Sequence, residues 1–402
     1  MSYLTLNNSA APATPAAGKT TVFVDSADRY LKTIDEKGVL GAVGDHELFN
    51  WLRNSGFWWA QRQAPGSAVT YSSTTGRAIC ADGWGITNEN ASATYQRVDT
   101  VSAAEAGLGG RFYGTLLKIT SAGKLCLSQV VEANDTGVLR GQTVRVQVWL
   151  KQQVAANPVL RLGLIQNTAA GTADAPTAAW MSAMGGAGTD PTLAANLAYI
   201  TPKAGVAGDN CTVNGNAADC TLTGAWQRFG AVFDVPAGAK NLIVAVWSSG
   251  QFAATNGFSI SQASLTTGYE IQSWNPLETA TELQRVQRFY EKSFLLDTAP
   301  AQNVGVNTGE VLGVAGKAGA VANSGFIAIR YVTPKVKAPA TNVVYNPAAA
   351  NALARNITGA ADMGTTTITG AGIQQFYLAI TGVAATTVGD LIAIHFSSDA
   401  EL

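Results

Sequence analysis

The sequence contains two histidines, His46 and His395, which are the residues best suited to acid–base or metal chemistry near neutral pH. His46-Glu47 begins an HExxH zinc motif, but Asn50 stands where the second histidine is required. His395 alternates with apolar neighbours, which is typical of a side chain packed on a strand. No segment carries a clustered pair of carboxylates for hydrolysis of a glycosidic bond. We therefore expect a protein that has no catalytic residue and is not an enzyme.

The four cysteines do not have the spacing of a metal site. Cys80, Cys126, Cys211 and Cys220 form no CxxC pair, and none has a histidine nearby. Cys211 and Cys220 flank a loop of small residues, where a disulfide and two free thiols are both open alternatives. An AAGKT motif resembles the end of a P-loop, but Ala13 occupies the position of the first glycine. The sequence predicts no metal and no cofactor.

The aromatic residues give a more positive signal, because exposed Trp and Tyr rings can stack on sugar rings. Trp149 and Trp226 lie in or beside patterned strands, and core packing explains them better. Trp180 and Tyr199 lie in a stretch that has no strand pattern. Core packing, a subunit interface and ligand contact remain equally open for these two residues. Trp180 and Tyr199 are the candidate glycan-binding residues.

Composition and charge exclude several classes of protein. Lys and Arg number 26 against 27 Asp and Glu, so a basic surface for nucleic acid is not expected. Charged residues make up 13% of the chain, about half the usual share of about 25%. No apolar run approaches the length of about 18 residues that membrane insertion requires. The first twenty residues lack the pattern of a signal peptide, so we expect a protein made in the cytoplasm that leaves by a route other than secretion.

Alternating apolar and polar residues predict a mainly β fold, with a jelly-roll β-sandwich and a second C-terminal β domain. One run, LIVAVW at 242–247, is apolar on both faces, as in a central strand. The stretch 166–223 is too long for an ordinary loop, and is either a functional excursion or a set of short strands. The other predicted strands are VRVQVWL at 144–150, QRFGAVFDV at 227–235, GFIAIRYVT at 325–333, QQFYLAIT at 374–381 and LIAIHFSS at 391–398.

One amphipathic helix is predicted over about 277–294, with Asn275 as N-cap and Pro276 at the first helical position. Leu283, Val286 and Tyr290 then share one apolar face. Because so short a helix is not stable alone, we expect this face to pack between the sandwich and the C-terminal domain or against another subunit. The expected division is an N-terminal tail with a small β element at 1–44, the sandwich at 45–275, a connector helix at 276–294 and a C-terminal β domain at 295–402.

The order of several motifs resembles a family of tailed-bacteriophage and prophage fibre proteins with a carbohydrate-binding-module-like jelly-roll domain. Each motif is short, but together they extend from about residue 45 to the end of the chain. Gly83 and Val286 depart from the family's usual arginine and cysteine. The motifs are NWLRNSGF at 50–57, ADGW at 81–84, LSQVVE at 127–132, LRGQTVRVQVWLK at 139–151, GAWQRFGAVFDVP at 224–236, ELQRVQRFYEKSF at 282–294 and FSSDAEL at 396–402.

The resemblance implies a structural protein of the virion, made in the host cytoplasm and exposed on the particle. It would be a homotrimeric tail or head fibre that binds host-surface polysaccharide or lipopolysaccharide during adsorption. Its N-terminal segment, residues 1–44, would attach it to other virion proteins, and Leu283, Val286 and Tyr290 would lie at the oligomer interface. The alternative is a purely architectural capsid decoration or collar protein without receptor binding.

Overall fold

The computed structural model describes residues 8–402 except 11, 18, 26–30, 35–39, 43–48, 73, 91, 100–104, 106–107, 109, 154–157, 170–173, 175–179, 204–209, 270, 272, 319–321 and 384–385. Strands dominate these residues, which confirms the predicted mainly β fold class. The expected border between residues 44 and 45 lies outside the described residues, as does His46.

A small four-stranded sheet precedes the sandwich. Phe23 and Ile34 are its buried apolar side chains among the residues that can be described there. Its strands are β1 Asn8–Ser9, β2 Thr21–Asp25, β3 Leu31–Ile34 and β4 Leu40–Ala42.

The next sixteen strands and one helix of the described chain build the β-sandwich. Their bounds are β5 Val69–Tyr71, β6 Thr74–Ala81, β7 Trp84–Asn88, β8 Ala93–Asp99, β9 Phe112–Lys118, β10 Leu125–Val131, α1 Ala133–Leu139, β11 Thr143–Gln152, β12 Val159–Asn167, β13 Met181–Ala183, β14 Thr192–Leu193, β15 Leu197–Ile200, β16 Cys211–Asn214, β17 Ala217–Thr221, β18 Gln227–Asp234, β19 Asn241–Ser248 and β20 Gly257–Thr267.

Fourteen of these strands form two antiparallel sheets that face each other, and β13 and β14 pair in a separate two-stranded sheet. One has eight strands in the order β16-β17-β12-β19-β10-β7-β6, with β15 also pairing with β12. The other has six strands in the order β18-β11-β20-β9-β8-β5. Apolar side chains from both sheets meet between them: Leu160 and Leu162 of β12 share one core with Val146 and Val148 of β11. The predicted alternation of β11, β18 and β12 is therefore confirmed.

The eight-stranded sheet is buried on both faces. Ile165, Ile243 and Trp247 point away from the inter-sheet core into a second apolar cluster. Trp180 from the stretch 166–223 and Phe289 from beyond the sandwich belong to that cluster. This explains why LIVAVW is apolar at every position, as the sequence predicts for a central strand. On the outer face of the six-stranded sheet, Trp149 and Lys151 are partly exposed, whereas Arg145, Gln147 and Ser261 are buried.

The helix that follows the sandwich is shorter than the sequence predicts. Helix α2 spans Thr279–Gln287, and Glu278 is its N-cap in place of Asn275. The chain then turns into strand β21, Tyr290–Lys292, in which Tyr290 pairs with Asp399 near the end of the chain. This long-range pairing overrides the local helical pattern, and so Tyr290 does not belong to the helical face.

A nine-stranded C-terminal sheet has the order β26-β25-β29-β22-β23-β28-β27, with β21 and β24 also pairing with β29. Its core contains Ile327, Phe376, Ile392 and Phe396. Three strands, β23, β28 and β29, occupy segments that the sequence predicts as strands. The remaining bounds are β22 Val311–Ala318, β23 Ala322–Arg330, β24 Thr341–Tyr345, β25 Arg355–Asn356, β26 Ala361–Asp362, β27 Thr366–Thr369, β28 Gln375–Ile380 and β29 Leu391–Asp399.

The C-terminal sheet joins the sandwich through a cluster of arginines and carboxylates. The Arg62 guanidinium contacts Asp82 at 3.1 Å and Asp399 at 2.9 Å, and it lies 3.7 Å from the ring centroid of Tyr290. Arg53 contacts Glu401 at 3.4 Å. Several motifs that carry the family resemblance therefore meet at this junction.

Candidate functional site

Trp149 lies on the outer face of the six-stranded sheet, on the strand next to its β18 edge. Along β11, residues 144, 146, 148 and 150 point into the core, so Trp149 points the opposite way and is partly exposed. Its neighbours across the sheet are Arg228 of β18 and Ser261 of β20. We call this surface the Trp149 face; its other members are Glu105, Tyr113, Lys151, Trp226 and Gln262.

A β-bulge beside Trp149 places Gln262 on this face. The register between β11 and β20 shifts between Gln147 and Trp149, so that two residues of β20 oppose one of β11. Gln262 takes a φ of 47°, in the left-handed region that non-glycine residues seldom occupy. Its side chain is 5% exposed, and its Nε2 group has no hydrogen-bond partner among the described residues. This buried amide donor therefore lies under the Gly110 backbone, unsatisfied within the described part of the chain.

The border of the Trp149 face is an ordered polar cluster centred on Glu105. Lys151 contacts Glu105 Oε1 at 2.9 Å, and Tyr113 donates its hydroxyl to the same oxygen at 3.2 Å. The indole N–H of Trp226 donates to Glu105 Oε2. The Trp226 ring also packs edge-on against Tyr113, with ring centroids 5.3 Å apart. These contacts hold the partly exposed indole of Trp226 in one orientation.

The hydrogen bonds around Glu105 keep it ionised at neutral pH. Burial opposes ionisation, but the bonds from Trp226, Lys151 and Tyr113 outweigh it and lower the pKa of the carboxyl below its usual 4.5. The cluster that orients Trp226 is therefore complete above this pKa and is lost as the pH falls through it.

Small hydroxyl side chains form the sheet surface next to Trp149. Ser259 and Ser261 are buried; the hydroxyls of Ser259 and Thr115 lie 2.8 Å apart, and Ser261 donates to the carbonyl of Phe112 at 2.8 Å. These hydroxyls are bonded within the sheet, so the groups of this face that solvent can reach include the partly exposed side chains of Trp149, Trp226 and Arg228. Such a surface can contact the apolar C–H face of a sugar and bond its hydroxyls at the same time.

The two glycan-binding residues predicted from the sequence lie elsewhere, against the eight-stranded sheet. Trp180 is 1% exposed and covers the outer face of that sheet, where it shares an apolar cluster with Ile165 of β12 and Trp247 of β19. It occupies the core position that the sequence left as one alternative, and its ring faces are not open to a ligand. Tyr199 in β15 is partly exposed, and its hydroxyl donates to the carbonyl of Pro191 at 2.6 Å.

The three predicted interface residues lie at or just after α2. Val286 is fully buried and Tyr290 is 5% exposed within this single chain, while Leu283 is partly exposed. Val286 and Tyr290 therefore already have the burial for which the sequence analysis invoked another subunit.

The sequence analysis assigned Trp149 and Trp226 to the core, and the structure places both on a partly exposed face. The signal for Trp149 was present, because it is out of phase with Val144, Val146 and Val148 on the same strand. No comparable signal marks Gln262, since its position depends on a bulge formed with a strand more than a hundred residues away.

Within the described part of the chain, no group of three or more His, Cys, Asp or Glu side chains is arranged to hold a metal ion. Neither is any described helix long and apolar enough to cross a membrane.

No family model and no curated protein matches this sequence. Several solved structures are similar over part of the chain. The carbohydrate-binding module TmCBM61, solved with β-1,4-galactotriose, is 12% identical and covers 55% of this chain and 99% of its own, with a TM-score of 0.29. A putative sugar-binding protein from Bacteroides thetaiotaomicron is 15% identical and covers 55% of this chain and 100% of its own, with a TM-score of 0.33. The enzymatically active domain of tailspike protein 4 of bacteriophage CBA120 is 11% identical and covers 55% of this chain but 21% of its own, with a TM-score of 0.30. At these identities and TM-scores, the similarity does not assign a function to the Trp149 face.

Proposed function

We propose that this protein binds a glycan through the Trp149 face. The observation that carries the proposal is the partly exposed Trp149 indole beside the buried amide of Gln262, whose Nε2 donor is unused among the described residues. A buried donor without a partner is costly, and a ligand hydroxyl or carbonyl oxygen would satisfy it. The strained backbone at Gln262 is of the kind that concentrates at binding sites.

A glycan suits this face better than an apolar or highly charged ligand. The two indoles, Trp149 and Trp226, offer flat surfaces for sugar C–H groups, and the amide and guanidinium between and beside them offer donors for hydroxyls. Glu105 and Lys151 neutralise each other at 2.9 Å, so the border does not favour a polyanion such as nucleic acid.

The finer proposal is that the glycan belongs to a bacterial surface and that the protein is a homotrimeric fibre of a tailed-phage virion. The order of motifs from NWLRNSGF to FSSDAEL supports this role. Residues 1–44 would then attach the fibre to other virion proteins. A purely architectural capsid or collar protein is the competing role, and it requires no glycan site.

The test is monovalent binding to bacterial oligosaccharides, first on a glycan array and then by calorimetry with the best soluble ligand. Trp149→Ala should weaken binding by about 5- to 150-fold, because losing an aromatic anchor costs about 1–3 kcal/mol. Trp149→Phe should retain part of the affinity, since it keeps a flat ring. Gln262→Met removes the amide but keeps a side chain of similar length, and it should lower the affinity by about 2- to 10-fold.

Two control variants locate the site. Phe49→Ala removes an aromatic side chain that is 46% exposed and packs beside Trp51 near α2, and it should leave affinity unchanged. Tyr199→Ala tests the stretch that the sequence analysis favoured. Folded Trp149→Ala protein with wild-type affinity would refute the Trp149 face, and a loss confined to Tyr199→Ala would move the site to β15. Wild-type protein that binds no glycan would favour the architectural role.

A further inference from the structure

The C-terminal sheet leaves one apolar face open to solvent. Its core residues alternate with outward side chains on four adjacent strands, in the order β29, β22, β23 and β28. We call the outward surface the open face; it is formed by Leu312, Val314, Phe326, Ala328, Tyr377 and Leu391.

These side chains form a continuous patch. Leu391 is directly opposite Val314, and Leu312 is on the same side of β22 two residues away. On the next pair of strands, Ala328 is opposite Tyr377, and the rings of Phe326 and Tyr377 stack with centroids 5.4 Å apart. The patch therefore crosses all four strands without a break.

The large apolar residues of this patch are about half exposed. The exposed fractions are 53% for Leu312, 55% for Val314, 61% for Phe326 and 43% for Leu391. Together these four leave about 400 Å² of apolar surface in water, within the range of about 300–600 Å² that is often functional. None of the six residues of the open face is charged.

We propose that a second copy of this chain covers the open face. Two such faces with their borders would bury about 1,000 Å², which reaches the lower limit for a specific interface. The lack of charge on these six residues lets the open faces of different copies meet without repulsion, as the subunits of the homotrimer proposed above would require. A glycan is a poor occupant, since the aliphatic centre of the patch offers no hydrogen bonds to sugar hydroxyls.

This assignment moves self-association away from α2. Val286 and Tyr290 are buried by their own chain, whereas Leu312 and Phe326 are each more than half exposed. The inference does not depend on glycan binding, because the open face and the Trp149 face belong to different sheets.

The test is sedimentation equilibrium of the full chain over about 1–50 μM, with Phe326→Arg and Leu312→Arg as separate variants. The matched control is Val138→Arg, because Val138 on α1 is also 61% exposed but lies on the sandwich. Each open-face variant should raise the dissociation constant at least about 30-fold, as expected when a charge replaces a central anchor. Circular dichroism checks that each variant is folded.

Three results would overturn the proposal. The first is a wild-type chain that stays monomeric throughout this range, which would leave the face to a lipid surface or another protein. The second is an oligomer that both open-face variants preserve. The third is an oligomer that Val138→Arg weakens as much as Phe326→Arg does. A wild-type oligomer that only the open-face variants dissociate supports it.

Discussion

Replacing Arg62 by Met should destabilise the junction between the sandwich and the C-terminal sheet. Met keeps much of the alkyl packing over the Tyr290 ring but removes the charge that faces Asp82. Asp82 is 1% exposed, so the substitution leaves a buried carboxylate without its cation. Breaking a buried pair in this way costs about 3–5 kcal/mol. Gln61 still donates hydrogen bonds of 2.9–3.3 Å to the Asp82 carboxylate in this variant. We therefore expect a loss of stability near the lower end of this range.

Asp399→Asn provides the matched control, because it removes the exposed partner of the same arginine. Asp399 is 36% exposed on its side chain, so its loss should cost only about 0–1 kcal/mol. The double variant Arg62→Met/Asp82→Asn should recover much of the stability, since neither charge then remains buried alone.

The assay is urea unfolding followed by tryptophan fluorescence. A loss of about 3 kcal/mol in the free energy of unfolding should lower the urea concentration at the unfolding midpoint by about 1 M or more. Burial raises the pKa of Asp82 above its usual 3.8, and Arg62 opposes that rise. The difference between wild type and Arg62→Met should therefore shrink as the pH falls toward this pKa, because a protonated Asp82 needs no cation. Equal, small losses for Arg62→Met and Asp399→Asn would refute this account of the junction.

Two further predictions concern single sites. Burial lowers the pKa of His395 below 6.5. The folded protein therefore has its full stability from the neutral imidazole above pH 6.5, and it loses this contribution as the pH falls through the pKa of the folded state. Thermal unfolding should show a smaller loss between about pH 8 and pH 5 for His395→Gln than for wild type, and identical profiles would contradict this. Cys211 and Cys220 are free thiols whose Sγ atoms lie 2.9 Å apart across β16 and β17. Oxidised glutathione should join them, with loss of two hydrogens in intact-mass spectrometry; two persisting thiols would contradict the expected pairing, and Cys211→Ser is the control.

Local alternation made the strands predictable, whereas contacts between distant segments did not follow from it. The predicted strands at 144–150 and 227–235 match β11 and β18 through their alternating apolar residues, and the one at 242–247 matches β19 through its continuous apolar run. The stretch 166–223 holds the short strands β13 to β17 that the sequence analysis left as one alternative.

The end of α2 could not be predicted in the same way. Residues 282–294 have a helical pattern, but Tyr290 pairs with Asp399, which is 109 positions later in the chain (399 − 290). Long-range pairing of this kind outweighs local propensity and leaves no local signal. The Trp149 face was missed for a related reason, because Glu105, Trp226 and Gln262 come from separate segments that only the folded sheet brings together.

The alternation of β11 separates two sets of positions on a single strand. Residues Val144, Val146 and Val148 belong to the core between the sheets, while Trp149 and Lys151 are partly exposed on the outer face. Substitution at Trp149 and Lys151 can therefore change the proposed glycan-binding surface without removing side chains from the core between the sheets. A sheet of this kind is suited to rapid diversification, since selection on binding and selection on stability act on different residues.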